Sequence, residues 1–241
     1  MIVLRSLAFQ LAFYGWTLSM ILISLPLLRR QRIETVRQME RWARGNLWLL
    51  RHLVGVTWEL RGAERLPKGG CIVASKHQSA WDTFVYHLLL DDPAIVLKIE
   101  LMRLPGYSQY ARKVEMIPVD RRGGAKALRA TIEAAKRAVG RGQPILIFPE
   151  GTRAPPEHGL DYQPGVAALY KFLAVPVVPV ALNSGLCWPA RALTLRPGKI
   201  VVEFQEPIAP GLERDAFMAE LKQRIEPATA RLVAEARSSA G

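Results

Sequence analysis

The uncharged stretch near the N-terminus restricts the fold most: between Leu7 and Leu28 the chain carries no charged residue. At a rise of ~1.5 Å per residue, a helix of about 22 residues can cross the ~30 Å hydrocarbon core of a bilayer. A cleaved secretory signal is the alternative. However, the stretch is longer than the apolar region of such a signal and runs into Arg29 and Arg30 instead of a small-residue cleavage site. It therefore predicts a membrane segment.

Arginines are distributed unequally around this segment. Only Arg5 precedes it, whereas six follow it closely: Arg29, Arg30, Arg32, Arg37, Arg41 and Arg44. This asymmetry predicts a bacterial-type inner membrane protein whose downstream part lies on the cytoplasmic side. Residues 33–55 mix apolar and arginine side chains like an interfacial amphipathic helix, so residues 1–55 are predicted to form a membrane-anchoring helix pair. The polar Gln10 and the helix-breaking Pro26 favour the alternative that both helices pack on a globular core.

The charge balance indicates an anionic partner. Of the 241 residues, 33 are lysine or arginine and 21 are acidic, a formal net charge of +12 that favours binding to an anionic lipid surface or a nucleic acid. No nucleic-acid-binding module or aromatic stacking pattern accompanies the basic residues, so we expect no nucleic-acid partner. Cys71 and Cys187 form no CxxC pair, which argues against a disulfide framework and a structural zinc site.

After Gly55, short apolar runs alternate with helical patterns, as in βαβ units around a parallel sheet. Strands are predicted at residues 56–62, 70–76, 94–99, 115–120, 144–150, 176–183 and 199–208. Helices are predicted at residues 81–90, 124–141, 165–173 and 212–237. The pattern thus predicts one α/β domain over residues 56–241, with a mostly parallel sheet flanked by helices.

A histidine and an aspartate, His77 and Asp82, lie five residues apart directly after the predicted strand 70–76. Loops that follow strands in α/β sheets often form sites. On an ideal helix this offset is ~140°, so the two side chains meet only if the chain bends between them. Asp82 could then hold one imidazole nitrogen and leave the other as a general base. The alternative is structural, with Asp82 at a helix N-terminus where the dipole favours an acid.

Three further motifs follow along the chain. FPEGTR at residues 148–153 ends a strand at a turn, where Gly151 permits close backbone approach and Arg153 can bind phosphate oxygens; alternatively it is a surface turn. DRRGG at residues 120–124 is a candidate anion site or a flexible turn. VPVA at residues 178–181 has the composition of a core strand.

The order of these motifs along one α/β domain resembles the glycerolipid acyltransferase family typified by bacterial 1-acyl-sn-glycerol-3-phosphate acyltransferase. The H-x4-D block of that family matches His77 and Asp82 within KHQS and WDT, and its FPEGTR block matches residues 148–153 without a gap. Its V-P-V-A type strand matches residues 178–181. The resemblance extends over about residues 60–206.

The second family block matches less closely. Arg121 stands where that block ends in an arginine, but Glu115 occupies about the place where a glycine is often found. Lys98 begins a K-x-E-L-x3-P-G stretch that precedes this block in many members. The departure at Glu115 predicts that this part of the substrate wall differs in shape from that of other members.

The resemblance implies an acyl transfer from acyl-CoA or acyl-acyl carrier protein to the sn-2 hydroxyl of lysophosphatidic acid, forming phosphatidic acid in the bilayer. His77 would be the general base, Asp82 would orient it, and no acyl-enzyme, cofactor or metal is implied. The glycerol phosphate would be held by residues of the second and third blocks and by the lysine before them: Lys98, Arg121, Glu150, Gly151, Thr152 and Arg153.

Other functions share some of these features. A related acyltransferase could act on another lysolipid, such as a lyso-ornithine lipid. A metal-dependent hydrolase could use His77, Asp82 and Glu150, but His52, His87 and His158 have no spacing that would complete a metal site. A non-catalytic basic membrane-surface protein explains the anchor and the charge but leaves H-x4-D and FPEGTR unexplained.

Overall fold

The computed structural model describes residues 1–238. A seven-stranded sheet forms its centre, in the order β1-β7-β6-β2-β5-β3-β4. All neighbouring strands are parallel except β6 and β7, which are antiparallel. The strands are β1 (Val56–Arg61), β2 (Ile72–Ser75), β3 (Ala94–Lys98), β4 (Ile117–Val119), β5 (Ile145–Ile147), β6 (Val177–Leu182) and β7 (Gly198–Phe204). The prediction of a mostly parallel α/β sheet flanked by helices is confirmed.

Helices cover both faces of this sheet. They are α1 (Ile2–Ser24), α2 (Arg32–Leu49), α3 (Trp81–Leu89), α4 (Tyr107–Lys113), α5 (Gly124–Gly140), α6 (Pro164–Leu173) and α7 (Arg214–Ser238). Side chains of α2 and α3 pack in one apolar cluster with one face of the sheet, and those of α5, α6 and α7 pack in a second cluster with the other face. Because both faces are covered, the central strands β2 and β6 are buried along their whole length and their sequences are nearly all apolar.

The two N-terminal helices pack on the domain that follows them. Indole Nε1 of Trp16 in α1 donates to the Trp42 carbonyl of α2 at 3.1 Å. The Tyr110 hydroxyl of α4 donates to the Ile21 carbonyl of α1 at 2.6 Å, and Arg32 of α2 forms a bidentate ion pair with Asp92 at 2.6 and 2.8 Å. One face of this helix pair therefore packs on the globular domain, as the alternative to a membrane anchor predicted. The boundary between residues 55 and 56 stays a prediction.

The opposite face of α1 is apolar and exposed. Together with the 3-10 turn that runs to Arg29, α1 is long and apolar enough to cross a membrane, and 6% of its most apolar window is buried. Its exposed apolar side chains recur every three to four residues and form a stripe that we call the outer stripe of α1: Leu4, Leu7, Leu11, Tyr14, Leu18, Leu22 and Leu25. An exposed apolar surface of this length is typical of membrane contact.

Helix α4 was not predicted. The turn that follows it contains Glu115, the residue at which the chain differs from the second family block. Glu115 follows α4 and has φ = 60°, a left-handed conformation that glycine adopts at low cost. Its carboxylate lies 3.3 Å from Arg32 of α2 and 3.0 Å from Arg141, which directly follows α5. These ion pairs hold the Glu115 side chain between the start of α2 and the residue after α5.

Candidate active site

The two motifs with the strongest sequence signal emerge at the same edge of the sheet. Strand β2 leads into His77, and strand β5 leads into FPEGTR at residues 148–153. The two strands are parallel neighbours, with Ile72 opposite Ile145. Because the carboxyl ends of parallel strands share an edge, the two loops lie side by side, as ligand sites in such sheets do.

His77 and Asp82 are brought together by a bend between β2 and α3. The imidazole Nδ1 of His77 lies 3.0 Å from Oδ2 of Asp82. The same oxygen accepts the backbone N–H groups of Gln78 at 2.7 Å and Ser79 at 2.8 Å, and the other oxygen accepts the Ser184 hydroxyl at 2.5 Å. Asp82 is fully buried and is the second residue of α3. It therefore lies in the first helical turn, where the dipole favours an acid, and it also holds the histidine.

The contacts of His77 define which nitrogen can act. An ionised carboxylate only accepts hydrogen bonds, so Nδ1 carries the proton and Nε2 has a free lone pair. No residue in the described range 1–238 bonds to Nε2. The ring stacks on Phe148 with a centroid distance of 4.1 Å and an interplanar angle of 21°, and the side chain is 12% exposed. This environment suits a general base that is held in one orientation and open on one side.

A cavity of about 980 Å³, here called the main cavity, opens in front of His77. Five of the eight predicted site residues line it: His77, Lys98, Arg121, Gly151 and Arg153. Most of its remaining wall is apolar, including Ile95, Leu97, Leu101, Leu128, Phe148 and Phe172. Met39 and Trp42 of α2 also line it, so one side of the cavity is built by the N-terminal helix pair. A cavity of this kind can take a lipid chain beside a polar group.

Five cations line the main cavity, and three of them come from the carboxyl ends of strands or the loops that follow; the other two are Lys171 and Arg214. Lys98 ends β3, Arg121 follows β4, and Arg153 ends FPEGTR, so three strands and their loops contribute one cation each. All three side chains are exposed, and none forms an ion pair with another residue in the described part of the chain. Unpaired cations around one space favour binding of a multiply charged anion such as a phosphate monoester.

Gly151 and Arg121 are in direct contact. Gly151 has φ = 65°, and its carbonyl accepts a hydrogen bond from Nη2 of Arg121 at 2.7 Å. A Cβ atom at Gly151 would lie 2.0 Å from that same nitrogen. Glycine is therefore required at this position for two physical reasons: the turn is left-handed, and the guanidinium group occupies the space of a side chain.

Glu150 and Thr152 lie elsewhere than in the main cavity. The Glu150 side chain is fully buried, with Oε1 accepting Lys76 Nζ at 2.7 Å and the Leu160 N–H at 3.2 Å, and Oε2 accepting the His77 N–H at 3.3 Å. Direct binding of phosphate by this carboxylate was the expectation. The observed contacts instead neutralise a buried lysine and hold the backbone of His77. Thr152 lines a second, separate cleft.

Three residues around this carboxylate were missed by the sequence argument. Lys76 is 1% exposed and also donates to both oxygens of Glu226 in α7 at 2.9 Å, and the Tyr162 hydroxyl donates to Glu226 at 2.7 Å. Burial raises the pKa of Tyr162, with the charge of Glu226 acting in the same direction. Lys76 could have been found in the sequence, because it begins the KHQS motif. Its partner Glu226 could not, because it lies 150 residues away in the chain.

A second histidine lines the main cavity. His87 of α3 is 8% exposed, and burial lowers its pKa from 6.5 to about 4 although the charge of Asp92 acts against this change. It is therefore neutral near pH 7. The described residues contain no group of three or more His, Cys, Asp or Glu side chains arranged to hold a metal ion.

Comparison with known proteins identifies relatives of this chain. The acyltransferase family model matches residues 57–183, which include both motifs and all the strands between them. The 1-acyl-sn-glycerol-3-phosphate acyltransferase of Pseudomonas aeruginosa is 33% identical over 225 residues, covering 93% of this chain and 86% of that protein. The human 1-acyl-sn-glycerol-3-phosphate acyltransferase alpha is 27% identical over 181 residues, covering 73% of this chain and 62% of that protein.

A solved structure has the same fold. The crystal structure of the 1-acyl-sn-glycerophosphate (LPA) acyltransferase PlsC from Thermotoga maritima superposes with a TM-score of 0.79 and 25% sequence identity, covering 96% of this chain and 98% of that one. The similarity thus includes the N-terminal helices as well as the sheet. Since the family model covers more than half of the chain and the Pseudomonas protein matches nearly all of it, the chain belongs to the acyltransferase family.

Proposed function

We propose that the chain transfers a fatty acyl group from acyl-CoA or acyl-acyl carrier protein to the sn-2 hydroxyl of 1-acyl-sn-glycerol 3-phosphate, forming phosphatidic acid. The observation that carries this proposal is the His77–Asp82 pair at 3.0 Å, facing a cavity that combines unpaired cations with an apolar wall. Relatives in Pseudomonas and human carry the name of this activity. Lysophosphatidic acid has the two matching parts, a phosphate monoester and an acyl chain.

The chemistry proceeds in one transfer. Nε2 of His77 takes the proton of the acceptor hydroxyl as that oxygen attacks the thioester carbonyl carbon. The C–S bond then breaks, the thiolate leaves, and the imidazolium returns a proton to the sulfur. The carboxylate of Asp82 offsets the positive charge on the ring during this cycle. No acyl-enzyme forms, and the residues contribute chiefly position and charge stabilisation.

The acceptor phosphate is proposed to lie between Lys98, Arg121 and Arg153. Charge-assisted hydrogen bonds from an arginine fork suit phosphate oxygens, and each contributes about 1.5–3 kcal/mol. Glu150 acts as a positioning residue, because its carboxylate is committed to Lys76 and to the backbone of His77. The acyl chain of the acceptor would lie along the apolar part of the wall.

We also propose that α1 lies along the membrane surface with its outer stripe in the cytoplasmic leaflet of the inner membrane. The domain holds α1 at both ends: Ser6 contacts Leu195 and Gln10 contacts Leu193 near one end, and Tyr110 bonds to Ile21 near the other. A helix that crossed the bilayer would draw these partners into the hydrocarbon. Burial raises the pKa of both native thiols to about 11, so single cysteines introduced at residues 2 and 29 can be labelled selectively. Labelling of both positions from the cytoplasmic side alone would support this arrangement, and labelling from opposite sides would contradict it.

The test of function uses the purified membrane enzyme with lysophosphatidic acid and acyl-CoA or acyl-acyl carrier protein, monitored by thiol release. We expect acceptor-dependent release that falls by about a thousandfold or more in His77→Ala. The matched control is His158→Ala, an exposed histidine that lies outside both cavities, and it should retain wild-type activity. Equal activity in His77→Ala and wild type would show that His77 is not the general base.

A panel of acceptors decides the substrate. A lyso-ornithine lipid carries an ammonium group that three cations would repel, so it should be acylated more slowly than lysophosphatidic acid. Faster acylation of the ornithine lipid would replace the proposed acceptor. Release of thiol without any lysolipid, or no release with every lysolipid, would reject acyl transfer to this class of acceptor.

A further inference from the structure

A second cleft opens beside the main cavity, with a volume of about 790 Å³. Its walls are the end of FPEGTR with the residues that follow it, the segment 185–197 between β6 and β7, the first two residues of β7, and the end of α7. We call it the basic cleft. None of the residues that carry the proposed acceptor chemistry lines it except Arg153, which lines both spaces.

The charge of the basic cleft is strongly positive. Five basic residues line it, Arg153, Arg191, Arg196, Lys199 and Arg237, and one acidic residue, Glu157. Lys199 pairs with Glu59, and Arg237 pairs with Glu157. The other three arginines form no ion pair with any residue between 1 and 238, and all three are exposed. Three free guanidinium groups in one concave space create a site for an anion with several charges.

The wall between these arginines is apolar. Pro155, Pro156, Pro189 and Pro197 line the cleft together with Leu186. Proline rings and a leucine offer apolar surface against which a planar ring system can pack. A cleft that joins cations to such a surface fits a nucleotide phosphate better than a bare inorganic ion.

The basic cleft is joined to the catalytic loop by hydrogen bonds. Gly185 in its wall donates its N–H to Oε1 of Gln78 at 3.0 Å, and the neighbouring Ser184 donates to Asp82 at 2.5 Å. Gln78 directly follows His77. A group bound in the cleft therefore lies next to the reacting centre, on a different side from Lys98 and Arg121, which line only the main cavity.

We propose that the basic cleft binds the phosphate-bearing carrier of the acyl thioester. The shared chemistry is the phosphorylated pantetheine arm, which occurs in coenzyme A with a nucleotide bisphosphate and in acyl carrier protein on an acidic surface. The cleft holds these phosphates with Arg191 and Arg196 while the thioester reaches past Arg153 to His77. This inference rests on the proposed function, because it requires a thioester donor, and it assigns donor and acceptor phosphates to separate sites.

The test measures KM for each substrate in the full-length enzyme and in the double variant Arg191→Gln, Arg196→Gln. The donors are acyl-CoA, acyl-acyl carrier protein and acyl-pantetheine, which has no phosphate. We expect KM for at least one phosphate-bearing donor to rise by about tenfold, which corresponds to loss of roughly one charge-assisted hydrogen bond. The KM values for acyl-pantetheine and for lysophosphatidic acid should stay within about twofold. The donor whose KM rises identifies the source of the phosphate.

The matched control is Arg129→Gln, which removes an exposed, unpaired arginine of α5 within the described chain and outside both cavities. It should leave every KM unchanged. Direct binding of adenosine 3′,5′-bisphosphate, measured by calorimetry with wild type and the double variant, does not depend on turnover. If the source is coenzyme A, wild type should bind it and the double variant should bind about tenfold more weakly.

Several results would overturn the inference. An equal rise for acyl-pantetheine would mean that the arginines do not act on donor phosphates, and a rise in KM for lysophosphatidic acid alone would assign the cleft to the acceptor. Loss of binding to anionic vesicles with every KM unchanged would make it a membrane-docking surface, a role for which the adjacent Leu193, 75% exposed, is suited. Failure of the proposed function is distinguishable, because it would appear as bound nucleotide without acylation of any lysolipid.

Discussion

Replacement of Lys76 by methionine tests whether the buried charges beneath His77 hold the active site. The ammonium group donates to Glu150 at 2.7 Å and to both oxygens of Glu226 at 2.9 Å, with 1% of the lysine exposed. Removal of one partner from a buried ion pair costs about 3–5 kcal/mol, because the remaining carboxylate stays buried without compensation. Glu226 is 22% exposed and can regain some water, so we expect the lower part of this range.

In a domain of this size, ~3 kcal/mol lowers Tm by roughly 6–12 °C. We therefore expect Lys76→Met to lower Tm by about 10 °C in detergent and to lower kcat more than KM, since Glu150 also holds the backbone N–H of His77 at 3.3 Å. Lys136→Met is the control: this lysine is half exposed and pairs with Glu133 on the surface, so its loss should cost less than about 1 kcal/mol. A Tm for Lys76→Met within a few degrees of wild type would refute the reasoning.

A double-mutant cycle separates the two carboxylates. If Lys76 and Glu226 act as one unit, adding Glu226→Gln to Lys76→Met should cost less than Glu226→Gln costs alone, because no ammonium remains to be left unpaired. Thermal unfolding of the four proteins gives this coupling free energy. Additive changes would show that Glu226 contributes independently of the lysine.

Three further perturbations follow from single contacts. Gly151→Ala should cost about 1–2 kcal/mol of stability because the residue has φ = 65°, and Tm measures this cost. The same change should raise KM for lysophosphatidic acid in steady-state kinetics, because the new Cβ would lie 2.0 Å from Nη2 of Arg121 and would displace the guanidinium group. Gly45→Leu should lower Tm by overpacking, at a cost of about 1–3 kcal/mol, because a Cβ there would lie 2.4 Å from the Trp16 ring; an unchanged Tm would mean that α1 can shift freely. Burial lowers the pKa of His87 to about 4. As pH falls from about 6.5 to 4, the unfolded chain binds a proton at this histidine that the folded chain does not, so the free energy of unfolding decreases. The full effect is about 3 kcal/mol at 1.36 kcal/mol per pH unit, and unfolding curves should lose this pH dependence in His87→Phe.

The elements of the sheet could be predicted from the sequence because both of its faces are covered. Strands such as Val177–Leu182 are continuous apolar runs between turn residues, and the predicted range of 176–183 differs from the observed one by one residue at each end. Helix α4 could not be predicted in this way. It is seven residues long and ends at Lys113, and the turn after it contains Glu115 with positive φ, where the chain has no glycine to mark the turn.

The site was predictable in part. The spacing of His77 and Asp82 alone left a structural explanation open, and the bend that closes the pair to 3.0 Å depends on backbone N–H groups of Gln78 and Ser79 that no periodicity reveals. The direction of the Glu150 side chain was equally hidden. A carboxylate in FPEGTR can face the cavity or the core. Its direction depends on whether the core contains a buried cation that can pair with it.

By itself, the sequence determined the apolar N-terminal helix, the alternation of strands and helices, and the residue types available for acyl transfer. These features follow from local composition and spacing, which set secondary structure and burial. Only the tertiary structure decided that α1 keeps one face on the domain and that Lys98, Arg121 and Arg153 share one cavity. It also decided that Glu226 of the last helix reaches Lys76 beneath His77. The physical reason is that parallel strands bring the ends of distant segments to one edge of the sheet, so the partners of a charge are set by packing and not by distance along the chain.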